Sequence, residues 1–251
     1  MSKFIALVLV IATFLPNGMS SVIKHHPKSC YEVKEYLQAT ENGYYNLFDS
    51  LSSPYTTYCD FESEPPFVWT LIESFSLEEG QKTINRKGFV ENHPVGECHL
   101  SWAAFRLSKI RMDTVFGSYG STHYRATCNF NVVNGTGLVN RVDYMRGEFC
   151  HNTYIFKSYG AYLCRVVDYV NIRGHVCRKC TLPFYATTTY HNHIDLTYSA
   201  SHCSKFAVPD AITNEDVFGQ YSNSNPLFSC VANKNSTTNW WIGGAYVAEA
   251  F

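Results

Sequence analysis

Apolar and polar positions alternate most clearly between residues 44 and 75. Three runs stand there, YYNLFD at 44–49, YTTYCDF at 55–61 and FVWTLIESF at 67–75, separated by SLSSP and ESEPP. Aromatic and β-branched residues between Ser- and Pro-rich breaks predict three strands joined as an antiparallel meander. In the third run Phe67, Trp69, Leu71 and Phe75 share the core face, and Thr70, Glu73 and Ser74 are expected on a strand edge or the opposite surface. Just upstream, Ser29 and Glu32 form a Ser-x-x-Glu capping box, which predicts a short amphipathic helix over 31–39 that stops before Asn42-Gly43.

From 76 to 120 the pattern weakens, and WAAFRLSKI at 102–110 reads equally well as a helix or a buried strand. Beyond it STHYRATCNFNVV, AYLCRVVDYVNIRG and the terminal WWIGGAYVAEAF are rich in Tyr, Val and Thr and read as strands. The class this predicts is α+β and β-rich, with minor helix. No Pro/Ser/Gly linker, charge block or repeat divides the chain, so residues 21–251 are expected to form a single domain.

Lys3 precedes an apolar run from Phe4 to Leu15, followed by Pro16 and the small-residue site Gly18-Met19-Ser20. This has the form of a secretory signal over 1–20, too short to span a bilayer, and it predicts a secreted, extracellular protein without a membrane span. The formal charge is −1, from 20 basic and 21 acidic side chains interspersed along the chain. Nucleic acid and anionic membranes both call for a concentrated basic footprint, and neither is expected as a partner. Ten cysteines, all beyond residue 20, fit an oxidising compartment and up to five disulfides.

Ser29-Cys30, Asn42-Gly43-Tyr44-Tyr45, Tyr58-Cys59-Asp60-Phe61 and Val68-Trp69-Thr70-Leu71-Ile72 follow one another in a set order. In this order the segment 29–75 resembles the start of a fibrinogen C-terminal-like domain. The central text differs from the vertebrate members and is more similar to divergent secreted fibrinogen-like proteins of cnidarians, some associated with the coral skeletal matrix. The resemblance implies a fibrinogen-like fold and a disulfide between Cys30 and Cys59, for which loop entropy gives about 3 kcal/mol or somewhat more. It also implies a calcium loop, onto which Asn214, Glu215 and Asp216 fall, and a ligand pocket beside Trp240 and Trp241. The loop has fewer carboxylates than calcium prefers, which predicts weak or absent binding. The family's cysteine after the double Trp is missing, so neither its second disulfide nor its pocket carries over intact.

Other candidates come from the residues alone. His191, His193, His202 and Cys203 include a His-x-His pair able to place two imidazoles on one strand face for zinc, although a secreted Cys203 is more often oxidised. Cys177 and Cys180 form Cys-x-x-Cys in strand-like text, and are expected to be half-cystines with different partners. Pairing among the eight cysteines other than Cys30 and Cys59 is open. Neither Gly-x-Ser-x-Gly nor His-Glu-x-x-His is present, and no catalytic residue is assigned. Asn134 and Asn235 head glycosylation sequons in turn-like text. These features predict a secreted, non-enzymatic glycoprotein with a structural or recognition role, whose partners are matrix components or carbohydrate. A calcium-dependent lectin and a secreted enzyme are the alternatives.

Overall fold

Ser29 starts the first element of the computed structural model, which describes residues 26–133, 143–151 and 154–247. Its Oγ accepts a hydrogen bond from Glu32 N at 3.3 Å, while Glu32 Oε2 accepts from Lys28 N at 2.9 Å. The paired caps launch helix α1 (Cys30–Leu37), which ends at Gln38 in the left-handed region, earlier than Asn42. Strands β1 (Gly43–Phe48), β2 (Pro54–Asp60) and β3 (Phe67–Ser76) then form the meander, with Gly43 opposite Cys59 and Cys59 opposite Thr70. Cys30 and Cys59 are disulfide-bonded and tie α1 to β2.

The later strands are β4 (Ala104–Arg106), β5 (His123–Cys128), β6 (Tyr144–Glu148), β7 (Gly160–Ile172), β8 (His175–Ala186), β9 (His193–Asp195), β10 (Asp216–Val217) and β11 (Thr237–Ala245). All join one antiparallel sheet in the order β1-β2-β3-β11-β5-β6-β7-β8-β9-β10, with β4 paired to β3. The last strand thus returns to the middle of the sheet. Helices α2 (Leu77–Gly80), α3 (Lys109–Gly117), α4 (Phe130–Val133), α5 (Tyr154–Lys157) and α6 (Leu196–Ser199) are short. Residues 102–110 contribute to both element types, a strand and then the start of α3. No helix among the described residues is long and apolar enough to cross a membrane.

The expectation for the outer face of β3 is corrected by its position. β3 lies inside the sheet, and Thr70, Glu73 and Ser74 are all buried. Glu73 Oε2 accepts from Arg106 Nη1 at 3.0 Å, and the same guanidinium donates to the carbonyls of Lys87, Gly88 and Glu91. The segment before β4 therefore covers the face that the pattern left open. Burying this charge is tolerable because it is both paired and hydrogen-bonded. A register shift between Trp240 and Trp241 leaves Ile72 unmatched on β3, and its carbonyl accepts from Leu107 N.

A second buried cation explains the Asp of the Tyr-Cys-Asp motif. Arg125 stacks over Trp69 at 4.7 Å and Trp241 at 4.5 Å, and donates to Asp60 Oδ2 at 2.6 Å. Three further disulfides are Cys128–Cys230, Cys164–Cys203 and Cys177–Cys180, while Cys98 and Cys150 are free and exposed. The Cys177–Cys180 bond corrects the expectation of separate partners. A regular strand holds residues three apart at about 10 Å. Lys179 adopts φ 49°, which kinks β8 and brings the two Cα atoms to 6.1 Å.

Candidate functional site

At the β8–β9–β10 end of the sheet, pairing decides which side chains face outward. Tyr185 stands opposite His193, Phe184 opposite Ile194, Val217 opposite Ile194 and Asp216 opposite Asp195. Alternation then places Tyr185, His193, Asp195 and Asp216 on one face and Phe184, Ile194 and Val217 on the other. The second set is fully buried in the core. The first set lines an open cleft of about 320 Å³, completed by Tyr162, Tyr190, Asn214, Gln220, Ser222 and Asn223.

Three tyrosines form the aromatic wall. Tyr185 lies 5.1 Å from Tyr162 and 5.8 Å from Tyr190, centroid to centroid, with the His193 ring at 5.0 Å. Tyr162 has φ 53° at a register shift in β7, a conformation that costs a residue with a side chain about 1 kcal/mol or more and marks a position held for a reason. Tyr198 packs against it at 4.2 Å with the rings tilted by 34°, and His202 stacks on Tyr198 at 3.7 Å, so the wall is buttressed by two more rings. Asp195 orients this support by capping α6, its Oδ1 accepting from Tyr198 N at 3.0 Å.

The floor is polar and acidic. Asp216 Oδ2 accepts from Ser222 N at 3.0 Å, and Asp216 Oδ1 lies 3.6 Å from His193 Nε2. Burial, reinforced by the charge of Asp195, pushes the Asp216 carboxyl up to about 6. Burial likewise drives His193 down to about 4, so the ring is neutral in the physiological range. Its Nδ1 lies 2.7 Å from the His191 carbonyl, which can only accept. The proton therefore sits on Nδ1, and Nε2 presents a lone pair. Gln220 is buried; its Nε2 donates to Ser222 Oγ at 3.0 Å and its Oε1 has no hydrogen-bond partner.

The residues expected to bind calcium divide between two faces. Asn214 and Asp216 reach the cleft. Glu215 points the other way and is fully buried, accepting from Arg173, Ile212 N and Asn225 Nδ2. Its oxygens are committed to these donors, which corrects its assignment as a ligand. Among the described residues no group of three His, Cys, Asp or Glu side chains is placed to hold a metal ion.

Trp240 and Trp241 are also corrected. Both are inaccessible in the central strand, their indole N–H groups donating to Phe218 O and Thr127 Oγ1, so neither can touch a ligand. The histidine cluster disperses: Cys203 is bonded to Cys164, His202 is exposed, and only His193 lines the cleft. His191 Nε2 lies 2.7 Å from buried Glu73 Oε1, at an angle that makes no hydrogen bond. Asn235 is exposed, while Asn134 and the signal over 1–20 lie outside the described residues. Sequence reasoning missed Tyr162, Tyr185, Tyr190 and Gln220 as site residues. The available signal was weak, a tyrosine-rich text whose shared face emerges only once the β8–β9 register is known.

Fold and site together define a disulfide-linked antiparallel-sheet protein with a tyrosine-walled, acidic cleft at one end of its sheet. No protein-family model and no curated protein matches the chain.

Proposed function

We propose that the protein is a secreted, non-enzymatic recognition glycoprotein of the extracellular space or matrix that binds carbohydrate in the tyrosine-walled cleft. The observation that carries this reading is the lining itself. Saccharides offer apolar C–H faces and many hydroxyls, and the cleft pairs three tyrosine rings with hydrogen-bonding groups on Asp195, Asn214, Asp216, Gln220 and Asn223. The ordered motifs over 29–75 and the Cys30–Cys59 bond support a divergent fibrinogen-like identity. The position of Glu215 favours recognition without a calcium ion organised by residues 214–216.

Retention of the secreted protein on immobilised saccharides, with elution by soluble sugar, tests the reading. Tyr185→Ala is expected to abolish retention in the presence or absence of a chelator. Equal retention of the variant and the wild type contradicts the assignment of the cleft.

A further inference from the structure

We propose that the cleft selects a cationic saccharide, one whose amino group is free and protonated, over its neutral acetylated form. This deepens the carbohydrate reading and rests on it. The groups left open in the cleft point to the chemistry, because they are mainly acceptors. Asp195 and Asp216 are cross-strand partners of the same charge on the floor of the cleft. Gln220 Oε1 is buried without a donor, and His193 presents Nε2 as a lone pair beside Asp216 Oδ1.

An ammonium group supplies what this set lacks: three N–H donors, no acceptor and one positive charge. The tyrosine faces add a further attraction, since an organic cation within about 6 Å of an aromatic centroid is drawn to the ring quadrupole. Among the described residues no Lys or Arg pairs with either carboxylate; the one ionisable partner is His193, 3.6 Å from Asp216. Calcium fits the site less well. It takes six to eight oxygens, several of them charged, and Asp195 and Asp216 supply the only carboxylates among the lining residues.

Two sources of ammonium are separable by experiment, an amino sugar and a quaternary amine such as choline. Calorimetric titration of the whole secreted protein with a glucosamine tetramer, its fully N-acetylated counterpart and choline distinguishes them. The expected result is binding of the free-amine tetramer about tenfold or more tighter than the acetylated one, with choline at least about tenfold weaker. Asp195→Asn and Asp216→Asn should each remove most of that preference while retaining a cooperative melt, and raised salt should reduce it. Equal or tighter binding of the acetylated tetramer overturns the ammonium proposal and leaves the carbohydrate reading intact. Choline binding as well as the free-amine tetramer overturns the sugar as the source. If neither tetramer binds, the carbohydrate reading itself fails.

Discussion

Asp216 and His193 sit 3.6 Å apart, and burial shifts their pKa values in opposite directions. Asp216 rises from 3.8 to about 6, chiefly by burial. Its folded form binds the proton more readily, so its contribution to stability is fully present below about pH 4 and is lost as pH rises through 6. His193 falls from 6.5 to about 4, so its contribution is present above 6.5 and is lost as pH falls through 4. Substituting one group separates the two. Asp216→Asn is expected to stabilise the protein by about 1–2 kcal/mol at pH 7.5, less than the full shift implies because the cleft admits solvent. At pH 4 it should leave the melting temperature nearly unchanged; paired thermal melts at the two pH values check this.

Glu215 is the contrasting carboxylate. With its oxygens satisfied in the interior, Glu215→Ala leaves Arg173 without its partner and should cost about 3–5 kcal/mol in urea unfolding. Adjacent residues in one short sequence thus differ in placement, one lining the cleft and one pairing a buried arginine. Composition could not separate them, because Glu215 turns into the interior just before β10, whereas Asp216, its first residue, faces the cleft.

At the scale of elements, the meander and its helix were legible because their signals are local: a capping box, period-two alternation and Pro-rich breaks. The outer face of β3 was not legible, since Glu73 is covered by a segment that returns from residues 87–91 and by Arg106. β9 and β10 have three and two residues, too few for any period to emerge, and they carry the cleft. The β7–β8 turn was not legible either, because Arg173-Gly174 lacks the Asn-Gly or Asp-Gly pair that marks a hairpin and its text reads on as strand. Arg173 and Gly174 have φ 51° and 87°, as a two-residue hairpin of type I′ requires. An added Cβ at Gly174 meets nothing within 4 Å, so Gly174→Ala isolates backbone strain. A loss of about 1 kcal/mol is expected by chemical denaturation, with the cleft's ligand affinity unchanged.

The Cys30–Cys59 bond has a larger reach, because it clamps α1 to β2 across 29 residues. Replacing both cysteines by serine is expected to cost about 2–5 kcal/mol, read from the denaturation midpoint.

Across the whole molecule, one sheet places the two conspicuous tryptophans at its centre and the less conspicuous tyrosines at its end. Burial of the largest aromatic residues is the ordinary outcome in a core, whereas half-exposed tyrosines around open acceptors need another explanation. Asn235, the acceptor of the expected glycan, lies on an exposed turn before β11, and enzymatic deglycosylation of the protein from a eukaryotic secretory host should lower its mass. Recognition in the cleft at the β8–β9–β10 end of the sheet, as proposed, can be seen in a crystal of the protein soaked with the glucosamine tetramer. Sugar density is expected against Tyr162, Tyr185 and Tyr190, with the amino group at Asp195 and Asp216; ordered sugar at another surface and an empty cleft would rule the proposed site out.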